Sequence, residues 1–424
     1  MVINYKRHKL PNGARLYYRQ RSWSKTFAVW LSFKGLYYAE NPQSSGISYL
    51  ALKMLFEGTE QKNFRELALA FEQHGIDYSI SPAGIQFLCA DGKQQIMLEL
   101  ITEIICHPVY TEERFQKIKK QTLMDYRIAL DDADTLASEE FRSQIFRNTP
   151  IALRPGGNSS TIAKITLEEC IKYQQAFFNC ANISLFAAGC FNEKELLNVL
   201  QKKLSNGPNG KEYKNRLRKF TPPQQFGKLF VLKSRESSSF VCGHRGICRW
   251  TKNYSVLKFI DCILGSGSGL SSRLNRRIRE ELGLCYHIYS DMTSTASRYP
   301  GFLHVCAGTA PERVEQIYEE VGLVFSEFLR NGPNPEEMEN TRLYLRGSLA
   351  FQAETNASLI ALMRERVEYK LAEDFLLREQ AEIELLRPSQ VIEVAREHYF
   401  PAEMSALVVG KEPVRGFLEH IVSD

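Results

Sequence analysis

The sequence predicts an α+β protein of two homologous domains, each a mainly antiparallel sheet packed with helices. Three observations carry that expectation. First, segments of the first half recur in the second at a nearly constant offset. Ala181-Asn182-Ile183-Ser184 through Gly189 matches Ala402-Glu403-Met404-Ser405 through Gly410, an offset of 221 (402 − 181). Likewise Tyr110-Thr111-Glu112-Glu113 echoes Asn334-Pro335-Glu336-Glu337 at 224 (336 − 112), and Phe87-Leu88-Cys89-Ala90 echoes the stretch from Leu303 to Ala307. Second, the hydrophobic period switches between strand-like and helix-like in the same order in both halves. Third, Ser205-Asn206-Gly207-Pro208-Asn209-Gly210, a basic run and Thr221-Pro222-Pro223 form the most linker-like stretch in the chain. The expected division is 1–204, a linker at 205–226, and 227–424, each domain within the usual size range.

Taken in order, Leu10-Pro11-Asn12-Gly13-Ala14-Arg15-Leu16 reads as a turn between two short strands. Residues 27–38, rich in aromatic and β-branched side chains, read as a strand closed by Glu40-Asn41-Pro42. From there Ile47, Leu50, Ala51, Met54 and Leu55 recur at three- and four-residue steps, one apolar helical face with Gly58 as its stop. A helix is expected over 64–74, then strands over 76–80 and 85–89 around Ser81-Pro82-Ala83-Gly84. Two long helices follow, 94–106 and 111–130, the second announced by Thr111-Glu112-Glu113. A helix over 166–178 leads to a strand over 183–188. In the second half a helix over 256–264 runs into Gly265-Ser266-Gly267-Ser268-Gly269, and residues 335–424 repeat the long helices and the closing strand.

Composition excludes several functions. Hydrophobic content of 44% and charged content of 24% are those of a globular chain. No run approaches the ~20 apolar residues of a membrane span. The net charge of +5 is spread along the chain. Beside Lys211, Lys214, Arg216, Arg218 and Lys219 only Tyr213 offers a base a stacking surface, so a solvated linker is expected and no nucleic acid. The glycine run matches neither phosphate-binding spacing and reads as a flexible helix entry. Ten cysteines include no C-x-x-C pair, and most lie in apolar runs. That usage, with no apolar leader near Met1, fits reduced thiols in a cytoplasmic protein. Cys242, His244 and Cys248 lack a standard zinc spacing and read as strand and loop. His74, His107, His244 and His287 are scattered, and each reads as a local histidine.

The most informative stretch runs from Gly46 to Thr59. It resembles the metal-binding helix of the pitrilysin/insulinase family, the inverzincin zinc peptidases with the inverted motif H-x-x-E-H. There a segment like G-L-A-H-F-L-E-H-M-L-F-K-G-T occupies this place. Gly46, Gly58, Met54, Leu55, Phe56 and Thr59 match; the chemistry does not. Tyr49 and Lys53 stand at the two histidine positions and Leu52 at the general-base Glu. A gap-free count from the motif puts Leu130 at the third ligand. A phenol is a poor ligand at neutral pH, and an ammonium repels a dication. The resemblance therefore implies a half-size member without its own zinc or proteolytic activity, the metal being expected only in a partner. The family's substrate-pairing edge strand, with its Asn-Ala-Tyr-Thr-like run, is also missing here. Pro82 removes a backbone donor from that region, so strand addition by a peptide is not expected on this half.

The second half keeps what the first has lost. Ser272-Arg273-Leu274, then Arg279-Glu280-Glu281-Leu282-Gly283-Leu284-Cys285-Tyr286, is similar to the family's C-terminal signature, S-R-L followed by R-E-x-x-G-L-x-Y, at every fixed position. The resemblance implies that Arg279 anchors a peptide carbonyl and Tyr286 donates to the oxyanion formed on attack. A guanidinium fork suits the first task, and one oxyanion donor contributes about 3–4 kcal/mol. Read without the resemblance, Arg279 pairs with a helix carboxylate and Tyr286 is core. Arg273 and Arg276 read as structural or surface residues, and Met363, Arg364, Arg366 and Glu368 as a charged helix edge.

Half-size members of the family pair two chains, so that four related domains enclose a chamber, one chain bringing zinc and the other Arg and Tyr. The chain is thus expected to be the non-catalytic subunit of a heteromeric metallopeptidase. Its partners would be a homologous zinc-bearing subunit and a peptide or small-protein substrate. The alternative is a proteolytically inactive peptide-binding or structural scaffold, which would not need an intact R-E-x-x-G-L-x-Y.

Overall fold

The computed structural model describes residues 2–147, 149–214, 226–232, 238–267, 271–411 and 420–422. Residues 215–225 of the expected linker, with most of its basic run, and residues 268–270 of the glycine-rich entry lie outside the described residues.

Two six-stranded sheets repeat one plan. The first uses β1 (Lys6–Lys9), β2 (Arg15–Gln20), β3 (Thr26–Phe33), β4 (Asp77–Ser81), β5 (Gly84–Ala90) and β6 (Ile183–Gly189), in the order β1-β2-β6-β3-β5-β4. The second uses β7 (Lys228–Leu232), β8 (Ser238–Gly243), β9 (Cys285–Asp291), β10 (His304–Thr309), β11 (Ser405–Gly410) and β12 (His420–Val422), in the order β12-β7-β11-β8-β10-β9. In the first, β6 runs parallel to β2 and antiparallel to β3. In the second, β11 runs parallel to β7 and antiparallel to β8. The repeat read from the sequence is thus the central strand of each sheet, Ser184 to Gly189 standing where Ser405 to Gly410 stand.

Between the strands of the first half lie α1 (Ile47–Met54), α2 (Phe64–Gln73), α3 (Gln94–Cys106), α4 (Glu112–Ala129), α5 (Ala133–Ile145), α6 (Ser159–Lys164) and α7 (Leu167–Phe177), and α8 (Glu193–Leu204) follows the last of these strands. The second half adds α9 (Tyr254–Asp261), α10 (Val314–Asn331), α11 (Pro335–Phe351), α12 (Asn356–Tyr369), α13 (Phe375–Leu385) and α14 (Pro388–His398). Caps set several starts: Thr111 accepts from Arg114 N to open α4, and Asn334 with Glu337 forms a capping box for α11. Among the described residues no helix is long and apolar enough to cross a membrane.

Alternating side chains divide each sheet into two buried faces. One face of the first sheet, with Leu16, Val29, Leu31, Phe87 and Leu185, packs under helices of its own half. Its other face, with Tyr17, Ala28, Phe186 and Ala188, packs against Leu359, Ile360 and Met363 of α12, from the second half. The second sheet reciprocates. Val231, Val241, Cys306, Leu407 and Val409 are covered by Leu136, Ala137, Phe141 and Ile145 of α5, from the first half. Each half therefore lends one helix to the other, and neither sheet is sealed without its partner's helix.

Three details depart from the sequence reading. The strand expected over 27–38 ends at Phe33, because Gly35 at φ 100° turns the chain into a short 3-10 turn, Leu36–Ala39. Pro82 lies in the β4–β5 turn, beyond Ser81, so it leaves the outer edge of β4 uninterrupted. The helix α5, for which the sequence reading makes no assignment, is amphipathic toward the opposite half, a relation no local pattern displays.

Candidate functional site

In the first half, Gly46 enters α1 at φ 97°. Its amide and that of Ser48 both donate to the Glu40 carboxylate at 2.9 Å. Burial nevertheless pushes the Glu40 carboxyl above its ordinary range, against these hydrogen bonds. Tyr49 and Lys53, one turn apart, form the edge of α1 that faces α4. Lys53 Nζ donates to Thr122 Oγ1 at 3.1 Å, pairs with Asp125 Oδ2 at 3.0 Å and lies 4.7 Å from the centre of the Tyr49 ring. Leu52 is fully buried in the core of the first half. Leu130 caps the C-terminus of α4 and packs against the cluster under α5. The structure thus brings Tyr49 and Lys53 together with Thr122 and Asp125, and neither Leu52 nor Leu130 joins them.

This donor set does not fit zinc. It offers a phenol, a hydroxyl, one carboxylate and an ammonium, where a hydrolytic zinc takes three imidazole or carboxylate donors and an open position. The Lys53 ammonium already neutralises Asp125, in the manner a cation would. Sequence reasoning missed Asp125, five residues short of the gap-free count. The register between α1 and α4 is a packing property, and only the structure supplies it.

In the second half, a π-helical segment, Asn275–Glu281, leads through Gly283 at φ 61° into β9. Buried Asn275 locks the two together by donating to Ile288 O at 2.9 Å. Further back, buried Asp261 at the end of α9 accepts from Met292 N at 3.1 Å, Thr293 N at 2.9 Å and the Tyr399 hydroxyl at 2.8 Å, which fixes the exit of β9. Burial, then the nearby Asp291 charge, pushes the Asp261 carboxyl up to about 7.

On this frame the arginines divide. Arg273 grips Glu337 through two bonds of 2.7 and 2.8 Å and reaches Gly332 O at 2.8 Å. Arg277 bonds Glu320 at 2.9 Å and Glu281 at 3.2 Å, and Arg276 lies 4.0 Å from Glu281. Arg279 is exposed and makes no hydrogen bond or ion pair among the described residues. Tyr286 is 74% exposed on β9, an edge strand paired, among the described residues, with β10 alone. The reading of Arg279 as paired with a helix carboxylate and Tyr286 as core is therefore overturned. Both side chains project from a fixed frame, and neither has a hydrogen-bond partner among the described residues.

Cys242 and His244 are buried as the strand-and-loop reading expects, and the His244 ring accepts from Phe400 N at 3.0 Å. His287 is paired across the two halves: its Nε2 lies 2.9 Å from Asp134 Oδ2, on α5. The sequence separation and the change of half hid that contact.

Fold and site together define a two-domain, peptidase-like protein in which Tyr49 and Lys53 are tied into the α1–α4 packing while Arg279 and Tyr286 face solvent. A family model described as Insulinase (Peptidase family M16) matches residues 17–155, and one described as Peptidase M16 inactive domain matches residues 164–345. The two together span well over half of the chain, which belongs to peptidase family M16, the insulinase family. An uncharacterized zinc protease of Rickettsia felis is 24% identical over 433 residues, 98% of this chain and 100% of that protein. A Helicobacter pylori protein described as non-peptidase homolog YmxG is 24% identical over 364 residues, 84% of this chain and 79% of that one. Among solved structures, a Pseudomonas fluorescens protein described as a peptidase M16 inactive domain superposes with a TM-score of 0.85 at 22% identity, covering 97% of this chain and 100% of that one.

Proposed function

We propose that this chain is the zinc-less subunit of a heteromeric M16-type metallopeptidase, supplying Arg279 and Tyr286 to a peptide held at a partner's zinc site. One observation carries the reading. Within a single segment Arg273, Arg276 and Arg277 all have carboxylate partners, whereas Arg279 and Tyr286 are exposed with none among the described residues. A free guanidinium suits a peptide carbonyl. A phenol held on a fixed strand suits the oxyanion that forms when water attacks that carbonyl, since a preorganised donor loses little on reaction. The partner supplies the metal and the general base; this chain supplies orientation and charge stabilisation.

The test is cleavage of a quenched peptide library by this chain alone and mixed with a zinc-bearing homologue of the same organism. Activity is expected only in the mixture and is abolished by a chelator. Tyr286→Phe is expected to lower kcat/KM of the complex by about 10²-fold, and Arg279→Ala comparably, with assembly unchanged. Unchanged turnover in both variants would overturn the assignment of these residues. The non-peptidase description of the Helicobacter pylori relative favours a second reading, an inactive scaffold that binds peptide. A stable complex without cleavage would establish that instead.

A further inference from the structure

Asp134, His287 and Cys306 come from both halves of the chain, yet one donor atom of each lies within 4.8 Å of the others. Asp134 stands in the first turn of α5, His287 on the edge strand β9 and Cys306 on its neighbour β10. The second Asp134 oxygen accepts from Ser239 Oγ, which holds the carboxylate in place. The Tyr289 and Ser239 hydroxyls both interact with the Cys306 sulfur. Gly308 on β10 makes room for the imidazole, since a Cβ there would collide with the His287 ring. Cys306 is fully buried, while the His287 and Asp134 side chains are 47% and 31% exposed. The cluster is closed by the sheet on one side and open to solvent on the other.

We propose that Asp134, His287 and Cys306 form a binding site for a zinc-class divalent transition metal ion. One thiolate, one imidazole and one carboxylate make a borderline-soft donor set, which suits Zn2+ and disfavours Mg2+ and Ca2+. A tetrahedral zinc sphere with ordinary bond lengths places such donors about 3.3–3.6 Å apart. The contact of 2.9 Å and the outer limit of 4.8 Å bracket that spacing, so small side-chain shifts complete the sphere. Binding replaces the thiol proton of Cys306, which leaves to solvent, while His287 presents its unprotonated Nε2 and Asp134 its carboxylate. No group is oxidised or reduced. Water takes the fourth position on the exposed side. Ser239 supplies the outer hydrogen bond that orients a ligating carboxylate. The ion would pin α5 of the first half to β9 of the second, at the residue next to Tyr286. This place is distinct from the Tyr49–Lys53 edge of α1 and does not depend on the proposed role of Arg279 and Tyr286.

The test uses the metal-stripped full chain under a thiol-free reductant. It is titrated with Zn2+ against a chromogenic chelator, and with Co2+ while absorbance is recorded. One equivalent of Zn2+ is expected to bind. The Co2+ form is expected to show sulfur-to-metal charge transfer and the intense visible bands of four-coordination. His287→Ala weakens binding by at least about tenfold, because even an outer-shell change at a metal site commonly costs that much. Cys306→Ser removes the charge-transfer band. Cys242→Ser, a buried thiol on the opposite face of the same sheet, changes neither readout. Should Cys306→Ser not fold, His287→Ala and Asp134→Asn, at partly exposed positions, decide the matter. Lack of stoichiometric binding, cobalt binding without the sulfur band, or affinity unchanged by His287→Ala overturns the site. Each result concerns this chain alone, so it leaves the peptidase-subunit reading standing or falling on its own test.

Discussion

The α1–α4 edge of the first half and the turn into β9 of the second present the same kinds of group, a cation and a phenol, in opposite condition. Lys53 is enclosed, with a hydroxyl, a carboxylate and the Tyr49 ring around its ammonium. Arg279 and Tyr286 stand in solvent without an internal partner among the described residues. The difference teaches where to look for function. A polar group that the fold has satisfied contributes to the fold; one held rigidly and left unsatisfied is available to a ligand. On this criterion the α1–α4 edge belongs to the internal structure, and the turn into β9 presents groups that the described fold does not use.

The largest expected effect breaks the first side of that comparison. Leu52→Glu places a carboxylate at the position that the H-x-x-E-H resemblance assigns to the general base, where the structure has a fully buried leucine. An unpaired buried charge costs about 3–5 kcal/mol, so a drop of that order is expected in urea unfolding. Wild-type stability in this variant would mean that the core has room for the catalytic carboxylate, and that the first half is nearer a working site than its ion pairs suggest.

The next effect bears on the rigidity of the second side. Asp261 anchors the exit of β9, and its carboxyl is raised in the folded state to about 7 from an ordinary 3.8. Between those values the folded protein therefore binds more protons than the unfolded chain. The stability this group contributes is complete below the unfolded value and is lost as pH rises through about 7. Asp261→Asn has no such titration. The unfolding free energy of the wild type should fall relative to the variant between pH 4 and 7, with the difference flat outside that window. A difference that grows in the other direction would show that charge stabilisation by the surrounding donors outweighs burial.

Much of this was legible in the residues. The repeat at an offset of 221 located both central strands, and R-E-x-x-G-L-x-Y located the pair on the turn into β9. The common edge of Tyr49 and Lys53 was visible because one helical turn fixes it. What stayed hidden shares a physical cause: it depends on which elements meet. Asp125 reaches Lys53 through the packing of α4 on α1, which no count along the chain reproduces. Helix α5 covers the sheet of the other half, so its apolar face had no visible destination. The partners of His287 were not legible because Asp134 and Cys306 approach from another helix and another strand. Gly35 shows the local limit as well, since a composition rich in aromatics outweighed a single residue with φ of 100° in the strand reading.

The smallest effect compares the two cations directly. Lys53→Met keeps the apolar stem and removes the charge. The Lys53 side chain is only 12% exposed, but that of its partner Asp125 is 53% exposed, so solvent screens much of the attraction. A loss of about 1 kcal/mol is expected, from an ion pair near the top of the surface range together with a weak contact to the Tyr49 ring. Part of that loss should fade as salt is raised. Arg279→Met, at an exposed position with no hydrogen bond or ion pair among the described residues, should change stability by less than about 0.5 kcal/mol. Chemical denaturation of the two variants in parallel measures both. Equal losses would mean that Arg279 has an internal partner after all, and the distinction between a satisfied half and an outward-facing half would go with it. A loss confined to Lys53→Met would leave Arg279 as a charge the fold does not use, which is the condition a peptide-binding side chain has to meet.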